Sequence, residues 1–293
     1  MSLMATEVPA DRIQRLIWVG SRVFGWFVVF TALELVGGLV YDRLGLPASD
    51  MMLLLRTAVT VIAAVVAGVI MLHWLDHRPP ADLGFPLQSA AFRQFGWGFI
   101  IGCAALTLAA VLIALSGWLA FRTDDGTAAH WVAIMARDFG LLGVAAAAEE
   151  AVFRGYPFQV LARAAGAPMA VLLGSGLFTW AHAQNPNVST FALINIFLAG
   201  VWLATAFLVT RSLWFATALH LGWNWSMASL LDLPVSGLEM FDTPLYEPVL
   251  SGPTWFTGGA FGPEGGLTGT VALGAGLAAV WAYSRRQPTV GVS

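Results

Sequence analysis

The sequence predicts an all-α fold, a polytopic membrane bundle of about eight transmembrane helices. Three observations carry that reading. The 293 residues are 58% hydrophobic and 11% charged, whereas a soluble domain has about 25% charged residues. With a mean hydropathy of +0.75, such a chain could not cover its surface with polar groups, and its natural solvent is a bilayer. The apolar residues fall into runs, most of them near the length a bilayer demands. Arginine is spread unevenly among the connections between those runs. Helix is the default conformation, because backbone polar groups inside hydrocarbon must pair within their own segment.

The first run, 16–41, follows a short polar stretch with Arg12 and Arg15. It is too long for the apolar core of a cleaved signal peptide and reads as a retained helix. The second, 51–75, follows the turn Gly45-Leu46-Pro47. Residues 76–92 carry Arg78-Pro79-Pro80 and Gly84-Phe85-Pro86 and read as a structured turn. The third run is 94–120, the fourth 131–153, the fifth 168–184, the sixth 189–210 and the seventh 213–231. The Gly- and Pro-rich stretch 232–265 reads as irregular, and the eighth run is 266–283. Small residues, such as Gly98-x-x-x-Gly102 and Ala145 to Ala148, allow close helix packing. No repeat or soluble domain stands out. The expectation is one integral membrane domain over 1–293, with a cytoplasmic tail at 1–15.

With a cytoplasmic N-terminus, Arg12, Arg15, Arg78, Arg93, Arg154, Arg163, Arg211, Arg285 and Arg286 fall on the cytoplasmic side. Arg43 and Arg122 fall opposite, as does the acidic, arginine-free stretch 232–265. This satisfies the positive-inside rule with both termini cytoplasmic, and a plasma (inner) membrane is expected. All 14 basic residues are Arg, which excludes a lysine Schiff base or a Ser–Lys dyad. No basic tract suggests nucleic acid. The single cysteine, Cys103, sits in an apolar run and reads as a small buried hydrophobe.

An ionisable residue at the centre of a spanning helix costs at least ~2.5–3.5 kcal/mol. The fourth run ends Glu149-Glu150-Ala151-Val152-Phe153-Arg154. Glu150 and Arg154 are four apart and share a helix face, whereas Glu149 is rotated away. The expected division is that Arg154 neutralises Glu150 and leaves Glu149 for chemistry. The alternative is a solvated helix end. Phe178 and His182 in the fifth run are also four apart, as are His220 and Asn224 in the seventh, and the sixth adds Asn195. Jointly they supply a base, groups to hold water or a metal, and oxyanion donors. Elsewhere, Glu34 and Arg56 read as a structural pair or snorkelling side chains. His73 and His77, beside Asp76 and Arg78, read as a solvated terminus, and His130 carries no information.

Glu-Glu-x-x-x-Arg, Phe-x-x-x-His and His-x-x-x-Asn on successive membrane helices resemble the CPBP family of intramembrane proteases. That family includes CAAX prenyl endopeptidases of the Ras-converting-enzyme type and bacteriocin-processing and immunity proteins. Asn195-Ile196-Phe197-Leu198-Ala199-Gly200 and Arg211-Ser212-Leu213-Trp214 are similar to its linking segment. The resemblance covers 138–231, an expected catalytic core, with the site between the fourth, fifth and seventh runs. It implies a membrane metalloprotease or glutamate-dependent endopeptidase acting on a membrane-associated peptide or protein. Glu149 would activate water with help from His182, Glu150 and Arg154 would organise the site, and His220 and Asn224 would stabilise the oxyanion. Glu149, His182 and His220 would also be the ligands of a divalent metal such as zinc, if one is present; the His-Glu-x-x-His signature is absent. Competing readings are a non-catalytic membrane protein (transporter, immunity protein or scaffold) and a rhomboid-like serine protease built on Gly174-Ser175-Gly176 with His220. With His220 near the inner face and His182 near the outer end of a short helix, the motifs meet only if the fourth helix continues past Pro157 or the fifth is tilted or displaced.

Overall fold

The computed structural model describes residues 7–45, 50–239 and 241–286; the Leu46-Pro47 part of the first turn lies outside them. Each of the eight apolar runs is a helix. With two more outside the runs, the helices among the described residues are, in chain order, α1 (Arg12–Leu44), α2 (Asp50–Trp74), α3 (Ser89–Leu115), α4 (Ala128–Phe153), α5 (Tyr156–Ala165), α6 (Ala167–Ala181), α7 (Thr190–Thr210), α8 (Leu213–Trp225), α9 (Thr254–Thr257) and α10 (Leu267–Arg285). Among the described residues, six spans are long and apolar enough to cross a membrane, one of them running from Ala128 to Ala165. The protein is therefore an integral membrane protein. Its exposed surface carries Ile17, Phe24, Leu35, Ile62 and Trp180, side chains suited to lipid.

The fourth apolar run does continue past Pro157, after a break. Pro157 has no N–H, and its ring would collide with the carbonyl four residues earlier in an unbroken helix. The chain leaves helical geometry at Arg154 and restarts at Tyr156, with Pro157 in the new first turn. This break bears on how the motifs come together. From Glu149 to Ala165 is 16 residues, about 24 Å of helix, and the 15 residues from Ala167 to His182 return about 22 Å. Glu149 and His182 thus meet at one level inside the bundle. Arg154 is only 1% exposed.

Helix α8 is the central element. It packs on α3, α4, α7 and α10. Its approach to α3 depends on glycine: a Cβ on Gly98 would lie 2.4 Å from the Phe215 carbonyl oxygen, and one on Gly102 only 2.2 Å from that of Leu219. The expected structured turn at 76–92 closes over the start of α8. The Gly84 carbonyl accepts from the Leu213 N–H at 2.7 Å, and the Pro86 carbonyl accepts from the Trp214 indole at 3.2 Å. Ser212 and Leu213 are buried beneath it. After Trp225 the helix widens into a π-turn, Ser226–Leu230.

Two elements depart from the expected pattern. The third helix stops at Leu115 rather than near 120. Residues Leu119–Thr123 form β1, which pairs antiparallel with β2, Tyr246–Leu250. The stretch 232–265 is not wholly irregular: it holds β2, α9 and two 3-10 turns, and it folds back against the helices. At the opposite face, beside the exposed His73 and His77, Asp76 is fully buried rather than solvated. It pairs with Arg22 of α1 at 2.6 Å and Arg163 of α5 at 2.5 Å. Burial raises the Asp76 carboxyl, but the two guanidiniums outweigh it and hold it below the usual carboxylate range. Arg56 lies over the Tyr41 ring at 5.1 Å rather than paired with Glu34.

Candidate active site

The motif residues converge from α4, α6 and α8. Along α4, Glu150 turns into the protein and is fully buried, while Glu149, one position round the helix, faces a cavity. Glu150 Oε1 accepts from Arg154 Nη1 at 3.1 Å and lies 3.0 Å from His220 Nδ1. Arg154 Nη2 donates to the Gly200 carbonyl at 3.2 Å, tying the break after α4 to α7. A buried ion pair of this kind is costly to break, because either partner left alone is an uncompensated charge. A solvated helix end therefore does not describe Glu150 and Arg154, whereas Glu149 is partly exposed.

Phe178 organises the other side. Its ring lies between the Arg154 guanidinium, 4.5 Å from the centroid, and the His182 imidazole, with ring centroids 4.5 Å apart. His182 Nδ1 is 2.8 Å from the Phe178 carbonyl oxygen. A carbonyl only accepts, so Nδ1 carries the proton and Nε2 presents its lone pair. That Nε2 is 4.0 Å from Glu149 Oε2, and His220 Nε2 is 3.9 Å from the same oxygen. Glu149 Oε2 is buried and has no hydrogen-bond partner within the protein. One carboxylate oxygen thus faces two imidazole nitrogens across gaps that a small ligand such as water would span.

The three donors have the chemistry of a zinc site. Their spacing is wider than the ~3.3 Å edge of a tetrahedron with 2.0–2.1 Å metal–ligand bonds. Among the described residues, the trio whose ligand atoms all lie within 4.8 Å of one another is Asp232, Asp242 and Glu247. These sit away from the motif residues around a separate surface cavity.

The site cavity holds about 200 Å³ and is bounded mainly by apolar side chains, including Leu53, Leu142 and Trp202. Glu149, His182, His220 and Asn224 all line it. Asn195 does not. Its Nδ2 donates to the carbonyls of Glu264 at 2.7 Å and Gly266 at 2.8 Å, and its Oδ1 accepts from Thr270 at 2.7 Å. It is a clamp between α7 and α10. Ser175 lies at the α6–α7 contact, where a Cβ on Gly200 would meet it at 2.9 Å, and both His220 nitrogens face glutamates. That arrangement leaves Ser175 without a histidine partner.

Sequence reasoning missed Glu264, which reads as one more acid in a polar stretch. It is 6% exposed and lines the cavity. No pattern in the sequence links it to the motifs. Its burial arises because residues 232–266 fold inward.

The fold and cavity define a polytopic membrane protein with a carboxylate–histidine site inside its helices. Residues 131–226, about a third of the chain, match the Rce1-like family, described as type II CAAX prenyl endopeptidase Rce1-like. The matched stretch is similar to CAAX-type membrane proteases and contains the motifs that resemble them. No curated protein matches the chain.

Proposed function

We propose that the protein is an intramembrane endopeptidase that hydrolyses a peptide bond in a membrane-associated peptide or protein, using a water activated by Glu149. One observation carries this: the Glu149 oxygen is buried, unpartnered and flanked at 3.9 and 4.0 Å by two imidazole nitrogens. A water between them gives one hydrogen to Glu149 and the other to the His182 lone pair. His220 Nδ1 donates to Glu150; in the metal-free mechanism its Nε2 is protonated as well and, with the Asn224 amide, faces the attacked carbonyl oxygen. Glu149 removes the water proton as oxygen attacks the carbonyl carbon. It returns that proton to the departing amide nitrogen as the C–N bond breaks. Glu150 and Arg154 fix His220 and do not react.

A divalent metal such as zinc, held by Glu149, His182 and His220, would act as a Lewis acid on the same water. The three side chains would have to draw in to hold it, since their ligand atoms do not all lie within 4.8 Å of one another.

The apolar walls suit a substrate segment delivered from lipid. The family match over residues 131–226 supports processing near a CAAX-type C-terminus. The arginine distribution supports cytoplasmic termini, and labelling of a cysteine placed at the N-terminus in intact cells would test it.

The main test is cleavage by purified, lipid-reconstituted protein of membrane peptides ending in prenylated or unprenylated CAAX sequences. Each is assayed with and without chelator, with Glu149→Gln as control. Cleavage abolished in Glu149→Gln supports the reading, and loss with chelator adds the metal. Cleavage unaffected by Glu149→Gln would overturn the role of Glu149, and no cleavage of any peptide would favour a non-catalytic membrane protein.

A further inference from the structure

The segment after the matched family region closes over the site, and one buried carboxylate holds it there. Glu264 Oε1 accepts from the Trp223 indole N–H at 2.8 Å. Its Oε2 accepts from the Ser236 backbone N–H at 2.8 Å and the Ser236 hydroxyl at 2.7 Å. Trp223 adjoins Asn224 and stands three residues after His220. Ser236 belongs to a tight turn in which Val235 and Leu238 pair through their backbones. The Ser236 carbonyl in turn accepts from Asn185 Nδ2 at 3.0 Å, three residues after His182. Asn195 fixes Glu264 from behind by binding its carbonyl. One side chain therefore joins the helix carrying His220 and Asn224 to the turn that roofs the cavity. That turn is stapled to the loop following His182.

We propose that Glu264 is a positioning residue of this site, setting both the roof that confines the substrate and the Trp223 end that orients the oxyanion donors. The inference rests on the proposed hydrolytic reading. A carboxylate suits the task because it is an acceptor at both oxygens and meets three donors. Glutamine would place an NH₂ group against N–H or O–H donors at one end and break the link there.

The test compares kcat and KM of Glu264→Gln, Ser236→Ala and Trp223→Phe on a cleaved peptide, alongside hydrogen exchange of residues 233–238. Ser236→Ala, which loosens only the roof, is expected to raise KM several-fold with kcat retained. Trp223→Phe, which frees only the oxyanion end, is expected to lower kcat with KM retained. Glu264→Gln is expected to do both, lowering kcat/KM about tenfold or more, and to speed exchange in the roof. A general structural defect would not divide KM from kcat in this way. Wild-type kinetics and exchange in a folded Glu264→Gln would overturn the proposal. If that variant does not fold, unchanged kinetics in both other variants would overturn it. Exchange needs no turnover, so a wild-type protein that cleaves nothing counts against the hydrolytic reading and leaves the roof measurement intact.

Discussion

Adjacent glutamates should respond in opposite ways to the same substitution. Glu150 is fully buried, and its Oε1 accepts from Arg154, itself 1% exposed, while facing His220 Nδ1 at 3.0 Å. Glutamine at 150 keeps the shape and an acceptor oxygen but loses the charge, leaving the buried Arg154 guanidinium with neutral acceptors, the amide oxygen and the Gly200 carbonyl, in place of its paired carboxylate. Breaking a buried pair by removing one partner costs about 3–5 kcal/mol. At roughly 2–4 °C per kcal/mol for a chain of this size class, Glu150→Gln should lower the melting temperature by roughly 10 °C. Glu149 Oε2 has no partner to lose. Glu149→Gln should therefore melt at or above the wild-type temperature while losing activity by about 10² or more. The assay is thermal unfolding of both variants in one detergent, followed by intrinsic tryptophan fluorescence, beside peptide cleavage. Equal melting temperatures, or a larger loss for Glu149→Gln, would refute the division of roles between the two carboxylates.

Three further outcomes are expected. Ser175→Ala should cleave at the wild-type rate, since Ser175 packs against Gly200 and His220 is occupied by two glutamates; loss of cleavage in a folded variant would revive a serine nucleophile. Asp232, outside the spans, is raised to about 6 by burial and by the charges of Glu247 and Asp242. Its folded value exceeds its unfolded one, so the charged form is disfavoured by folding, and stability falls as pH rises through about 6. Asp232→Asn should accordingly raise the melting temperature at pH 8 and change it little at pH 4, and the reverse pattern in melting curves would contradict this sign. Gly102→Ala would set a methyl 2.2 Å from the Leu219 carbonyl oxygen and 2.8 Å from the Trp223 nitrogen. Separating α3 from α8 should cost about 1–3 kcal/mol and lower cleavage through displaced His220, readable as paired losses of melting temperature and rate.

Much of the architecture was legible because the bilayer leaves few choices. An apolar run near 20 residues must be a helix, and all eight runs are. Within one helix the 3.6-residue period also fixes faces, which is why Glu150 with Arg154 and Phe178 with His182 pair as their spacing predicts. Pro157 announced a break, but not whether the helix would resume beyond it, and so the depth of Glu149 was ambiguous. Asp76 looked solvated because its partners, Arg22 and Arg163, lie 54 and 87 residues away.

By itself, then, the sequence determined the class of solvent, the helices and the motif residues that share a helix face, since each follows from local periodicity and the cost of unpaired polar groups in lipid. Only the tertiary structure decided that α6 returns His182 to the level of Glu149, that Glu150 also faces His220, and that Glu264 anchors the turn that roofs the cavity. Those facts depend on where separate helices and a folded-back loop meet. Contacts between distant segments are set by packing across the whole bundle, which no local spacing records.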